Sequence, residues 1–288
     1  MTPRDRYIEL LKSSLLNELY LENEVRLFYI FLMLSTKQAI DPEAVREIGQ
    51  KLPDMVKKVK EARQEGKPWW RISVGDSRKK LNLRNFCEFS HTMIGRKRLD
   101  NIHHCLDVVR QDNIAGDLAE TGVWRGGATI FMRGYLAAWE MTNRTVWVAD
   151  SFEGLPVPSM EQDKDYDYSA SVIPILAISL ETVQENFRRY DLLDEQVRFL
   201  KGWFNDTLPT APIEQLSILR LDGDLYESTM DGLNALYHKV SPGGFVIVDD
   251  YGDFEPCRRA IDEFREQHGI TEAMEEIDWS GVYWRKLT

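Results

Sequence analysis

The chain has 288 residues, 43% hydrophobic and 29% charged, the balance of an ordinary globular protein long enough to bury a sizeable core without covalent staples. Its 36 basic and 47 acidic residues leave a net charge of −11, which argues against nucleic acid as partner, because phosphate binding needs concentrated positive surface. The longest apolar run, Leu27 to Leu34, is eight residues, far short of the roughly 20 that span a bilayer, and Cys87, Cys105 and Cys257 show no ligand spacing, so a reducing cytoplasm and no membrane partner are expected.

From Asp5 to about Glu65 strand signals are nearly absent. Tyr7, Leu10, Leu11, Ser14, Leu15 and Leu19 recur at helical spacing, while Pro42 and Pro53 suit the first turns of later helices, with Asp41 a candidate cap. GKPWWRISVGD (66–76) mixes breakers with Trp69 and Trp70 and reads as a linker or docking strap. A further helical stretch, Phe86 to Arg110, precedes the first strand. From Gly116 the texture alternates. Strands are expected over 116–123, 145–152, 196–204, 216–224 and 244–252, with helices near 127–141, 178–191, 227–239 and 256–268. That pattern predicts parallel βαβ units in a doubly wound α/β sheet. The tail, ITEAMEEIDWSGVYWRKL, adds two strand-like runs about a turn at Ser280-Gly281, suited to a hairpin at the sheet's edge. The chain thus divides into a helical extension, 1–85, and a sheet domain, 86–288.

Chemistry concentrates at the strand ends. LRLDGDLYES and GFVIVDDYGD place Asp222, Asp224, Asp249 and Asp250 just beyond two apolar runs, where open α/β sheets bind ligands. Four converging acids repel one another unless a cation holds them. Oxygen ligands without His or Cys favour Mg2+, Mn2+ or Ca2+ over zinc. The first strand ends in ETGVWRGGAT, whose Gly122, Gly126 and Gly127 let backbone approach a ligand at a helix N-terminus, or simply make a turn. Their spacing is not the dinucleotide GxGxxG, which speaks against an oxidoreductase. Asp150, in VADSFEGLP, suits ribose hydroxyls or a helix cap. In KGWFND, Gly202 stands beside Trp203, which could stack on adenine or belong to the core. His91 and Thr92, in FSHTMIGRKRLDN, could fold over the cofactor mouth, with His91 a candidate catalytic group or a structural histidine. The segment DKDYDYSASVIPIL (163–176) is a substrate loop or a solvated excursion.

Taken together these residues resemble the macrocin O-methyltransferase family, enzymes that use S-adenosylmethionine to methylate sugar hydroxyls on antibiotics. The matching stretches are HTMIGRKRLDN, GDLAETGVWRGGATIFMRG, ADSFEGLP, FLKGWFNDTLP, LRLDGDLYESTMDGLNALY and SPGGFVIVDDYGDFEPCRRAIDEFREQHGI, with DRYIELLKSSLLNELY similar to the family's first helix. Leu21 to Asn85 reads as a longer helical insert than such enzymes usually carry.

The resemblance implies a class I methyltransferase, Rossmann-like and mostly parallel, with an N-terminal helical extension. It further implies S-adenosylmethionine and Mg2+ as cofactors and a small-molecule hydroxyl acceptor. Glu120, Thr121, Gly122, Trp124, Gly126 and Gly127 fall on the cofactor loop, with Thr92 and Met93 before it. Asp150 and Ser151 fall on the ribose side, Gly202 and Trp203 on the adenine side. Asp222, Asp249 and Asp250 match metal ligands, Asp222 also bordering the cofactor, and Asp224 matches a general base. The expected activity is O-methylation of a sugar or polyketide hydroxyl, on a homodimer or larger homo-oligomer. The alternatives are a catechol or carboxylate acceptor, or a non-catalytic nucleoside-binding scaffold.

Overall fold

The computed structural model describes residues 1–65 and 89–287. The strap at 66–76 and Cys87 lie outside them. Five helices open the chain: α1 (Pro3–Leu15), α2 (Leu21–Ser35), α3 (Pro42–Arg46), α4 (Ile48–Lys51) and α5 (Pro53–Glu65). Thr2 and Asp5 form a reciprocal capping box that starts α1. Pro42 and Pro53 open α3 and α5 as expected, and the Asp41 carboxylate accepts from Glu43 N at 2.9 Å. Leu21, Val25, Tyr29, Ala44, Ile48 and Val59 make a small core of their own. Helix α1 instead sends Ile8, Leu11 and Leu15 into the main core.

Seven strands follow: β1 (Asp117–Thr121), β2 (Val146–Asp150), β3 (Val197–Lys201), β4 (Leu216–Leu221), β5 (Val240–Val248), β6 (Glu275–Glu276) and β7 (Val282–Arg285), counted among the described residues. The helices among and before them are α6 (Gly95–Gln111), α7 (Gly127–Ala138), α8 (Leu180–Arg189), α9 (Phe204–Thr207), α10 (Tyr226–Leu236) and α11 (Glu255–Gln267). The strands form one sheet in the order β3-β2-β1-β4-β5-β7-β6. Pairing is parallel from β3 to β5 and antiparallel at β7 and β6, the expected edge hairpin.

Alternation along the strands builds two apolar layers. Leu118, Val146, Val148 and Ile218 meet α1, α6, α7 and α8. Ala119, Trp147, Leu219 and Val246 meet α10 and α11 on the other face. Among the described residues no helix is long and apolar enough to cross a membrane.

One helical expectation is shortened. Residues 86–88 lie outside the described residues, and α6 begins only at Gly95. Residues 91–93 run as a loop against α7, because His91 N donates to Leu15 O at 2.8 Å and Gly127 lacks a side chain. A Cβ on Gly127 would stand 2.3 Å from His91 O.

Candidate active site

Strand order reverses between β1 and β4, and the site lies outside the carboxyl ends of these strands. Leu221 pairs with Val248 across β4 and β5, so the next residues, Asp222 and Asp249, emerge side by side. Asp222 N donates to Thr121 O and Asp249 N to Leu221 O, each at 2.9 Å, which extends the ladder into the acids. Asp222, Asp249 and Asp250 each offer one oxygen, all within 4.8 Å of one another. Asp249 and Asp250 are buried. Burial pushes the Asp222 carboxyl up to about 6, with Asp249 adding to the rise and Arg220 opposing it. Burial and the neighbouring acids hold Asp224 and Asp250 well above the usual carboxylate range. Asp224 takes a left-handed backbone, φ 58°, and its N–H reaches Asp250 Oδ2 at 3.3 Å.

Two arginines and a brace were not recognised from the sequence. Arg220, fully buried in β4, donates to Glu120, to Asp222 at 2.6 Å and to Asp249. Arg98 of α6 donates to Asp249 and to Asp278 at 3.0 Å. Ser280 Oγ donates to Asp249 O at 2.7 Å, so the final hairpin's turn braces the acid loop. The available signal was the arginine inside the apolar run SILRL, since a buried guanidinium requires acid partners.

Asp249 therefore has a guanidinium donor on each oxygen, yet a carboxylate oxygen has two lone pairs. Three clustered carboxylates whose charge is only partly met by arginine fit a hard divalent cation.

The glycine turn lies directly beside this cluster. Asp150 accepts from Val123 N and from Phe152 N, both at 2.7 Å, and so shapes the turn after β1. Burial raises its pKa against the pull of those N–H groups. Gly126, at φ +85°, caps α7. Trp124, also left-handed, donates from Nε1 to Ile175 O at 3.1 Å. Ser151 Oγ donates to Gly154 O at 2.7 Å, and Gly202 N donates to Asp150 O at 3.0 Å. Glu120, Thr121 and Thr92 are buried, whereas Met93 and Trp203 are exposed. Burial raises the Glu120 carboxyl, while the paired Arg220 guanidinium favours its ionised form.

His91 is engaged elsewhere. Its Nδ1 lies 2.8 Å from Tyr190 Oη on α8's carboxyl end, and Ser14 Oγ donates to the same oxygen at 3.4 Å. Burial, then Arg189 and Arg125, lowers its pKa to about 4.

The 163–176 segment packs rather than floats. Asp163, fully buried, accepts from Tyr226 N at 2.7 Å and Glu227 N at 3.0 Å, capping α10 two residues after Asp224. Tyr168 meets Phe254 edge-on at 5.5 Å.

A Rossmann-like sheet with a glycine turn at its switch point, bordered by strand-end acids, is the architecture of an S-adenosylmethionine-dependent O-methyltransferase, and the relatives of this chain are such enzymes. The chain belongs to the macrocin-O-methyltransferase family, whose model matches residues 4–286. It is 56% identical over 200 residues to demethyldecarbamoylnovobiocin O-methyltransferase of Streptomyces niveus, covering 68% of this chain and 76% of that protein. It is 53% identical over 203 residues to mycinamicin III 3''-O-methyltransferase of Micromonospora griseorubida, covering 68% and 79% respectively. Among solved structures, the O-methyltransferase NovP superposes with a TM-score of 0.78 at 43% identity, over 99% of this chain and 100% of that one. The calicheamicin methyltransferase CalS11, at 18% identity, TM-score 0.52, and 86% and 94% coverage, shares the fold.

Proposed function

We propose that the protein is a Mg2+-dependent O-methyltransferase whose acceptor is a hydroxyl, flanked by a second hydroxyl, on the sugar or polyketide part of a natural product. The observation that carries the reading is the placement of Asp222, Asp249 and Asp250 beside the glycine turn of β1. The names of the relatives support the acceptor class, since they give demethyldecarbamoylnovobiocin and the 3'' oxygen of mycinamicin III as the groups methylated.

Asp222, Asp249 and Asp250 would hold the ion, which supplies Lewis acidity that makes an alcohol easier to deprotonate. In the reaction the S–CH3 bond breaks as the O–CH3 bond forms on the opposite face of the methyl carbon, and S-adenosylhomocysteine leaves. Asp224, two residues beyond Asp222 and with its N–H on Asp250, takes the hydroxyl proton. Holding oxygen, carbon and sulfur in line is the larger task. Glu120, Thr121, Gly122, Trp124, Gly126 and Gly127 form the near wall of the cofactor cleft. Thr92 and Met93 would close it, Asp150 and Ser151 would hold the ribose, and Gly202 and Trp203 the adenine, with Asp222 beside the methyl donor. His91 steadies that wall through Tyr190.

The direct test is incubation with S-adenosylmethionine and a panel of deoxysugar glycosides, with and without Mg2+, read by mass spectrometry. Methylation of a glycoside that stops with EDTA and returns with Mg2+ supports the reading. Transfer to a catechol alone, or transfer indifferent to EDTA, overturns the acceptor or the metal respectively. We place the enzyme in the cytoplasm and assign it a homo-oligomer, since Leu10, Leu19, Tyr20 and Leu34 are exposed on the helical extension. Light scattering that finds a monomer at micromolar concentration removes that assignment.

A further inference from the structure

Arg220 touches both halves of the site at once. Glu120 and Arg220 are register partners across β1 and β4, and Asp222 follows two residues on, so all three side chains leave the same face of the sheet. Nη1 of Arg220 donates to Glu120 Oε1 and to Asp222 Oδ2, and Nη2 donates to Asp249 Oδ1. One planar guanidinium thereby joins the carboxylate beside the glycine turn to two of the three acids of the cation cluster.

The far end of this link is unfinished. Glu120 is 1% exposed, and its Oε2 is buried without a hydrogen-bond partner among the described residues. A buried acceptor left unmade is costly. The methionyl end of S-adenosylmethionine carries an ammonium group, the kind of donor this oxygen lacks. Arg220 Nε also has no partner among the described residues, so the guanidinium is not locked at every donor and can shift toward whichever carboxylate holds it most strongly.

We propose that Arg220 is a positioning residue that couples cofactor binding to divalent-cation binding. A cation on Asp222 and Asp249 draws their negative charge away from the guanidinium. Arg220 then holds Glu120 more firmly and fixes Oε2 for the incoming ammonium. The reverse order of binding is favoured equally, because coupling between two ligands is reciprocal. The inference rests on the cation site assigned under the proposed function, and it adds the residue through which the two sites communicate.

Titration calorimetry on the full chain tests it. S-adenosylhomocysteine, which keeps the ammonium, is titrated with and without saturating Mg2+, and Mg2+ is titrated with and without S-adenosylhomocysteine. In the unaltered protein both affinities are expected to rise by the same factor, about 5-fold or more. Arg220→Lys keeps a buried positive charge but loses the fork, and Glu120→Gln keeps the shape but loses the charge. In each, both ligands should still bind, with the factor reduced to near one. Glu120→Gln carries the test if Arg220→Lys does not fold. 5′-Methylthioadenosine, which has no methionyl ammonium, should bind with no response to Mg2+.

Equal affinities with and without the other ligand in the unaltered protein would overturn the coupling while leaving the cation site standing. So would a coupling undiminished in Glu120→Gln, or one retained by 5′-methylthioadenosine. Failure of Mg2+ to bind under any condition would overturn the cation site, and the coupling with it.

Discussion

Gly122 and Asp222 approach so closely that a Cβ on Gly122 would stand 1.8 Å from the Asp222 carbonyl oxygen. One residue follows β1 and the other follows β4, at the point where the strand order reverses. The glycine turn and the first acid of the cluster are therefore a single piece of packed backbone. Gly122 also holds φ +85°, a conformation that side chains disfavour.

Gly122→Ala is accordingly expected to combine backbone strain with a displaced β4 end. Stability should fall by about 2 to 4 kcal/mol, and S-adenosylhomocysteine affinity should fall with it. Urea unfolding with calorimetry reads both. An alanine variant with an unchanged unfolding midpoint would mean that the two loops separate freely.

The acids divide by their neighbours. Asp222 and Asp249 are tied to Arg220, and Asp249 also to Arg98, whereas Asp224 meets the cluster through its backbone N–H. Asp249→Asn should weaken Mg2+ binding and activity together. Asp224→Asn should bind Mg2+ and cofactor nearly as before while turnover drops about 10²-fold or more. Calorimetry beside steady-state rates separates them, and loss of Mg2+ binding in Asp224→Asn would make that residue a ligand.

Asp163 ties the 163–176 segment to the first turn of α10 through Tyr226 N and Glu227 N. Asp163→Ala should cost about 1 to 2 kcal/mol as a lost helix cap. If the segment also lines the acceptor pocket, KM for the acceptor rises while S-adenosylhomocysteine affinity holds. Equal loss of both affinities would point to general unfolding around α10 instead.

His91 sets a pH dependence of stability. The folded chain depresses its pKa from 6.5 to about 4, so below 6.5 the unfolded chain takes up a proton that the folded chain refuses. Stability is unaffected by His91 above that pH and falls as pH drops toward 4, with a slope of at most about 1.4 kcal/mol per pH unit. Urea midpoints across pH 4 to 8 should show a shallower acid slope for His91→Gln. Parallel curves for the two proteins would show that the imidazole titrates normally when folded.

The strands were legible because they are local. TVWVADSF carries four consecutive apolar residues, Val146 to Ala149, closed by an acid, and FVIV followed by two acids marks a strand end whatever its neighbours are. The candidate acids followed from that alone, since any residue just past the end of a parallel strand faces the ligand crevice. Helix starts at Pro42 and Pro53 were equally local. The start of α6 was not, because the 91–93 loop is held by Leu15 and by the missing side chain of Gly127.

What only the tertiary structure decided is which charges meet. Arg220 finds Glu120 100 residues away and Asp249 29 residues away, and His91 finds Tyr190 99 residues away. Asp163 reaches Tyr226 N across 63 residues. Each contact depends on strand order and register, which are settled by how the two apolar layers pack over the whole chain. Residue type and spacing within a window can propose an acid or a base, but they hold no record of the partner that orients it.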